Sequence, residues 1–266
     1  MYKGSEVAVK VANSDRCSVE SWRTELAVLT QLRHPSLICC LACVEAPLSF
    51  GLVLEYCDGG DVCEALRRPT PPGFFLRVAK GVASAAAYLH QAGYMHRDIK
   101  SPNVLIDSAS GVKLADLGLA RSVPQAGHTM SKWGASKGKL TAETGSFRWM
   151  APEVAMHEHY SKSADVHSYA VLLHELLTHQ LAFLGRSSLR AALAVCQGHR
   201  PTLPPQTPAE IAQLITRAWS AASERPSFQE ICDVLDHLCP TEAEVAWLDE
   251  PSGHPLDPVK QPTDRC

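Results

Sequence analysis

The stretch Tyr94-Met95-His96-Arg97-Asp98-Ile99-Lys100-Ser101-Pro102-Asn103-Val104-Leu105 constrains this chain more than any other. It sets an acid, a cation and an amide (Asp98, Lys100 and Asn103) within six residues. A small-residue helical pattern over residues 74–90 precedes it and an apolar run follows. Polar groups so close together, between segments that read as core, belong on a short rigid loop. A charged surface turn is the plain alternative, but further motifs follow in a consistent order.

His96-Arg97-Asp98-Ile99 with Asn103 at its spacing resembles the catalytic loop of eukaryotic protein kinases. The fuller His-Arg-Asp-Ile-Lys-Ser-Pro-Asn is similar to the tyrosine-kinase-like group of serine/threonine kinases, the Raf and mixed-lineage type. The resemblance implies that Asp98 accepts the substrate hydroxyl proton. It implies that Lys100 offsets charge on the moving phosphoryl group and that Asn103 gives an oxygen to magnesium. Arg97 would receive a phosphate from the activation segment, with Thr141 and Thr144 as the nearest donors.

The same resemblance orders the rest of the chain. Val7-Ala8-Val9-Lys10-Val11 reads as a strand, with Lys10 on the ATP phosphates and Ala8 against the nucleotide. A helix is expected over residues 19–32, from the spacing of Trp22, Leu26, Leu29 and Leu32. It would carry Glu25 as the partner of Lys10. Residues 52–60 read as a strand running into a Gly pair. By resemblance this is the hinge, where backbone groups of Glu55 and Cys57 would bind adenine. Leu54 would guard the pocket behind, and Leu105 would add a further ATP contact.

Gly111-Val112-Lys113-Leu114-Ala115-Asp116-Leu117-Gly118 resembles the magnesium motif, with Leu117 in place of Phe and Asp116 as metal ligand. Residues 116–153 would be the activation segment, with an aperiodic middle over 127–144 expected to be mobile. Its end, Thr144-Gly145-Ser146-Phe147-Arg148-Trp149-Met150-Ala151-Pro152-Glu153, resembles the substrate-binding loop of the same group. Ser146 is expected to contact the catalytic loop, and Glu153 to pair with Arg225. Asp165 resembles the buried acid that holds the catalytic loop from below. His167 and Ala170 depart from the family's aromatic and Gly, which predicts looser packing. Thr207 and Ser227, each followed by Glu at the third position, read as capping boxes that start helices.

The expected fold is therefore α+β and bilobal, as in protein kinases. It would comprise a small β-rich N-lobe with hinge (residues 1–57), a large, mainly helical C-lobe (58–238) and a disordered tail (239–266). The glycine-rich loop of the family is not seen upstream of Lys10, where Gly4 is the sole glycine before residue 51. A truncated N-lobe of about three strands with an unpaired edge is expected, and impaired phosphoryl transfer with it.

Bulk properties set limits. A net charge of −3 offers no general attraction to nucleic acid or anionic membrane. Ten cysteines without a regular framework read as reduced thiols in the cytoplasm, and no apolar run reaches membrane-span length. The function expected is ATP- and Mg2+-dependent phosphorylation of Ser/Thr in protein substrates, under an upstream kinase. The alternative class is a catalytically weak, kinase-shaped interaction module.

Overall fold

The computed structural model describes residues 2–12, 16–46, 49–108, 111–122, 146–238 and 247–248. The first part holds β1 (Val7–Ala12), α1 (Arg16–Gln31), β2 (Cys40–Ala46) and β3 (Ser49–Glu55). Next come α2 (Val62–Ala65), α3 (Phe74–Gln91), β4 (Tyr94–Met95), β5 (Val104–Asp107), β6 (Gly111–Leu114) and β7 (Arg121–Ser122). The last part is helical, with α4 (Pro152–Ala155), α5 (Ser163–Thr178), α6 (Ser188–Cys196), α7 (Ala209–Ala218) and α8 (Phe228–His237).

The N-terminal part is an antiparallel 3-stranded sheet, ordered β1-β3-β2, with α1 packed on it. The register sets Ala8 opposite Leu54 and Lys10 opposite Leu52, so Ala8 and Lys10 share one face of β1. Val9 and Val11 take the other face, which is open to solvent. Among the described residues β1 pairs with β3 alone. The helix expected over 19–32 is α1. Trp22 and Leu29 bury its inner face, and the Trp22 ring lies 5.2 Å from that of Phe50.

In the C-terminal part α5 runs through the centre, with Ala164 through Thr178 all buried. Such a helix has no polar face, because neighbours cover it on every side. The small residues of α3 let it lie close to the β5–β6 hairpin. A Cβ added at Gly81 would stand 2.9 Å from that of Val112. The two expected capping boxes came out differently. Ser227 and Glu230 form the complete reciprocal box at the start of α8. At α7 the Thr207 hydroxyl instead donates to the Pro204 carbonyl at 2.7 Å, and the helix begins after Pro208 without a side-chain cap. Proline has already fixed the entry φ there, so the cap is dispensable.

One apolar core runs through both parts, from Trp22 and Leu52 to Val78, Leu172 and Ile231. Within 239–266 only Trp247 and Leu248 are described; Leu248 is buried in this core. Among the described residues no helix is long and apolar enough to cross a membrane.

Candidate active site

The site lies where the sheet and α1 meet the loop between β4 and β5. Lys10 Nζ reaches across to Glu25 Oε2 at 2.7 Å and to Asp116 Oδ1 at 2.8 Å. Burial drives the Lys10 ammonium toward its neutral form, but the two carboxylates outweigh it and raise its pKa. Burial pushes Glu25 up further than Lys10 pulls it down. Burial also acts upward on Asp116, but Lys10 overrides it and holds this carboxyl below its usual range. Asp116 is therefore an anion. It is half exposed and sits in the left-handed region at φ 63°, which sets the carboxylate at the mouth of the site.

The second cluster is within the loop itself. Asp98 Oδ2 lies 2.9 Å from Lys100 Nζ, and the Asn103 amide nitrogen donates to it at 2.8 Å. Asn103 Nδ2 also donates to the Asp98 carbonyl at 2.8 Å, so the amide orientation is fixed from two sides. The clusters are joined through Ala115, next to Asp116. Its N–H donates to the Asn103 carbonyl at 2.8 Å, and its carbonyl accepts from His96 Nε2 at 3.0 Å. His96 Nδ1 in turn accepts the Asp98 N–H at 3.2 Å. The ring is thus the neutral Nε2–H tautomer, and complete burial lowers its pKa. It is a packed structural group.

Asp165 supports the loop from α5. It accepts from His96 N at 2.8 Å, Arg97 N at 2.7 Å and His90 Nε2 at 2.8 Å while only 1% exposed. Burial alone would raise its pKa; the His90 hydrogen bond and the other donors outweigh it and leave it low. Arg97 is held at φ 70°, a backbone conformation that a non-glycine residue adopts only at a cost of about 1–2 kcal/mol.

Lys100 Nζ donates to Ser146 Oγ at 2.8 Å, so the loop between β4 and β5 touches the turn at Ser146–Trp149. Below that turn the Arg225 guanidinium makes two bonds to Glu153, of 2.6 and 2.9 Å, and also donates to the carbonyls of Ser220 and Ser163. At the end of β3, Glu55 Oε1 accepts the Cys39 N–H at 2.7 Å and lies 3.1 Å from Lys113 Nζ. Leu54 and Cys57 are buried there, and burial pushes the Cys57 thiol up to about 11. Leu105 sits opposite Asp61 in an isolated bridge and packs on the core. Thr141 and Thr144 lie outside the described residues, as does the middle of the expected activation segment.

Sequence reading missed three contributors: His90, Ser101 and Glu175. His90 lies in the last turn of α3, six residues before His96 and outside any local motif. Glu175 was detectable, because an ionisable residue inside the apolar run Val171-Leu172-Leu173-His174-Glu175-Leu176-Leu177 must find buried partners. Ser101 is one of them, donating to Glu175 Oε2 at 2.8 Å.

The residues also fit a metal held jointly with a substrate. Among the described residues no group of three His, Cys, Asp or Glu could hold an ion alone. The ionised Asp116 and the oriented Asn103 are hard oxygen ligands that leave most of the coordination sphere to phosphate oxygens and water. That division suits magnesium.

Comparison with known proteins gives a consistent result. The family model described as protein tyrosine and serine/threonine kinase matches residues 2–235. Serine/threonine-protein kinase STY46 of Arabidopsis thaliana is 36% identical over 251 residues, covering 90% of this chain and 42% of that protein. From the same plant, serine/threonine-protein kinase VIK is 35% identical over 255 residues, covering 89% of this chain and 56% of that protein. Serine/threonine/tyrosine-protein kinase HT1 is 33% identical over 249 residues, covering 89% of this chain and 61% of that protein. The chain thus spans only part of the length of these relatives.

Proposed function

The chain belongs to the protein tyrosine and serine/threonine kinase family, and on that premise we propose that it transfers the γ-phosphate of ATP to Ser/Thr hydroxyls of protein substrates. The observation that carries this reading is the triangle of Asp98, Lys100 and Asn103, tied through Ala115 to the Lys10–Asp116 pair. Phosphoryl transfer needs positioning and charge stabilisation more than covalent help from the protein, and this arrangement offers both.

Each side chain then has a role. Lys10, oriented by Glu25, holds the nucleotide phosphates, while Ala8, Leu54, Leu105 and the backbone of Glu55 and Cys57 hold the adenine. Asp116 and Asn103 would hold magnesium, which would supply positive charge to offset that of the phosphates. Asp98 orients the acceptor hydroxyl and takes its proton, its carboxylate kept in place by Asn103. Lys100 stabilises charge on the transferring group, and its bond to Ser146 couples it to the loop that would receive the peptide. Asp165, Glu153 and Arg225 are supports. Arg97 would receive a phosphate carried by Thr141 or Thr144 after an upstream kinase has acted. The lobes would divide at the hinge, near residue 57. Lys100, two residues after the base, favours Ser/Thr over Tyr; STY46 and VIK are named serine/threonine-protein kinases, while the name of HT1 adds tyrosine.

The test is transfer from radiolabelled ATP to protein substrates, with Asp98→Asn and Lys10→Met variants, followed by phosphoamino-acid analysis. We expect phosphoserine and phosphothreonine, reduced by about 100-fold or more in both variants. No transfer above the variants would overturn the enzymatic reading in favour of an interaction module. Phosphotyrosine as the main product would overturn the hydroxyl specificity.

A further inference from the structure

We propose that Glu175 is a positioning residue that joins the catalytic loop to the substrate loop while it is protonated and lets them separate when it ionises; the substrate half of this inference rests on the kinase reading. The geometry is a single shared acceptor. Glu175 Oε2 accepts from Ser101 Oγ at 2.8 Å and from Trp149 Nε1 at 2.9 Å. Ser101 directly follows Lys100 in the catalytic loop, and Trp149 closes the turn whose first residue, Ser146, binds Lys100. Two loops far apart in sequence therefore meet on one oxygen of one buried side chain. Ser168, two turns earlier on α5, accompanies this contact by donating to the Trp149 carbonyl at 2.8 Å.

The surroundings of Glu175 make it sensitive to protons. It is 1% exposed, and Oε1 makes no hydrogen bond of ordinary geometry among the described residues. The charged group facing it is the Arg148 guanidinium from the substrate loop, which is itself caged by the carbonyls of Ala182, Phe183 and Arg186. The Ala182 amide faces the carboxyl from the chain after α5, and the catalytic loop contributes the Ser101 hydroxyl. His174 precedes Glu175 on its own helix and bonds away from it, to the Thr202 carbonyl at 3.2 Å; the His179 N–H caps the Glu175 carbonyl at 2.8 Å. Burial outweighs these donors and pushes the carboxyl up to about 7.

Linkage gives the direction. The closed arrangement binds the proton more tightly than a hydrated carboxyl would, so protonation favours closure. Above neutrality the buried anion draws in water, and the hold on Ser101 and Trp149 loosens. A permanently neutral side chain of the same shape keeps the loops together at any pH, since an amide oxygen accepts both donors.

The experiment uses the full 266-residue chain. The indole N–H of Trp149, assigned with Trp149→Phe, is followed by NMR as pH is raised, alongside the KM for a protein or peptide substrate and the KM for ATP. In the wild type we expect the indole shift to titrate near neutrality. The substrate KM should rise roughly fivefold between about pH 6 and about pH 8, with the KM for ATP unmoved. In Glu175→Gln both changes should vanish, and the substrate KM at the higher pH should match the wild-type value at the lower. Ser101→Ala, which removes a donor to the charged form, should move the indole midpoint upward; this keeps the test available should Glu175→Gln fail to fold. An indole that does not titrate, or that titrates unchanged in Glu175→Gln, overturns the proposal. So does a titrating indole with a flat substrate KM. Absence of any transfer beside a titrating indole overturns the kinase reading and leaves the proton-linked contact standing.

Discussion

Replacing Asp165 with Asn tests whether the catalytic loop is imposed from below. The carboxylate serves three donors. Oδ1 takes the Arg97 N–H, while Oδ2 takes the His96 N–H and the His90 ring. Asn has one acceptor oxygen and an NH2 group of the same size, so either orientation points a donor at a buried donor. One lost bond to a charged acceptor is worth about 1.5–3 kcal/mol. The left-handed Arg97 backbone carries its strain of about 1–2 kcal/mol in the wild type as well, so it adds nothing to the difference while the loop keeps its shape. The expected loss is therefore about 1.5–3 kcal/mol. For a domain of this size that lowers Tm by roughly 3–12 °C. Urea unfolding read by tryptophan fluorescence measures the difference, and transfer assays below the new transition should show a lower kcat. Because the Asp165 pKa is depressed, its contribution is complete above the ordinary carboxylate range and is lost only as pH falls through the folded value. The wild-type advantage should therefore be flat from neutral pH down to mildly acid conditions. A loss under about 1 kcal/mol, or an unchanged kcat, would refute the claim that Asp165 imposes the loop conformation.

Other consequences can be measured alongside. Glu153→Gln and Arg225→Met should each cost about 3–5 kcal/mol by stranding a buried partner, and denaturant melts of the double variant should show much less than the sum. At Gly118 an added Cβ would collide with Ser21 Oγ, so Gly118→Ala should depress transfer activity, and Ser21→Ala in the same chain should restore it. Gly59→Ala brings a Cβ to 2.9 Å from the Ile106 carbonyl oxygen, so thermal melts should show about 1–3 kcal/mol of lost stability. The raised pKa of Glu175 makes the wild type lose stability relative to Glu175→Gln as pH climbs from 4.5 toward about 7, and urea titrations at several pH values would show this slope.

The sequence was legible where local chemistry repeats. The Trp22, Leu26 and Leu29 spacing located α1, although the helix starts earlier, at Arg16, than the apolar pattern alone suggested. The Ser227–Glu230 box located α8, because a cap is satisfied by residues three apart. Thr207 carried the same spacing and failed, since its hydroxyl found the Pro204 carbonyl first and nothing in the local pattern reveals that competition. Asp98, Lys100 and Asn103 were readable together because they occupy one short loop. His90 and Ser101 were not, for their partners are 75 and 74 residues away in sequence; the apolar run around Glu175 signals its burial but not its partners, of which Trp149 is 26 residues away. Contacts of that kind exist only after α5 has been surrounded.

The burial of α5 also governs how the protein opens. From Ala164 through Thr178 every residue lies inside the core, and the Tyr169 hydroxyl is anchored to the Ala79 carbonyl of α3 at 2.9 Å. No partial opening of one flank can hydrate those amides, because elements on all sides must leave together. Their exchange with solvent deuterium should therefore occur only through global unfolding, at the slowest rate in the molecule, while the amides of β1 exchange by fraying at the sheet edge. Since Asp165 and Glu175 both project from α5, the two loops they hold are fastened to the last element to come apart.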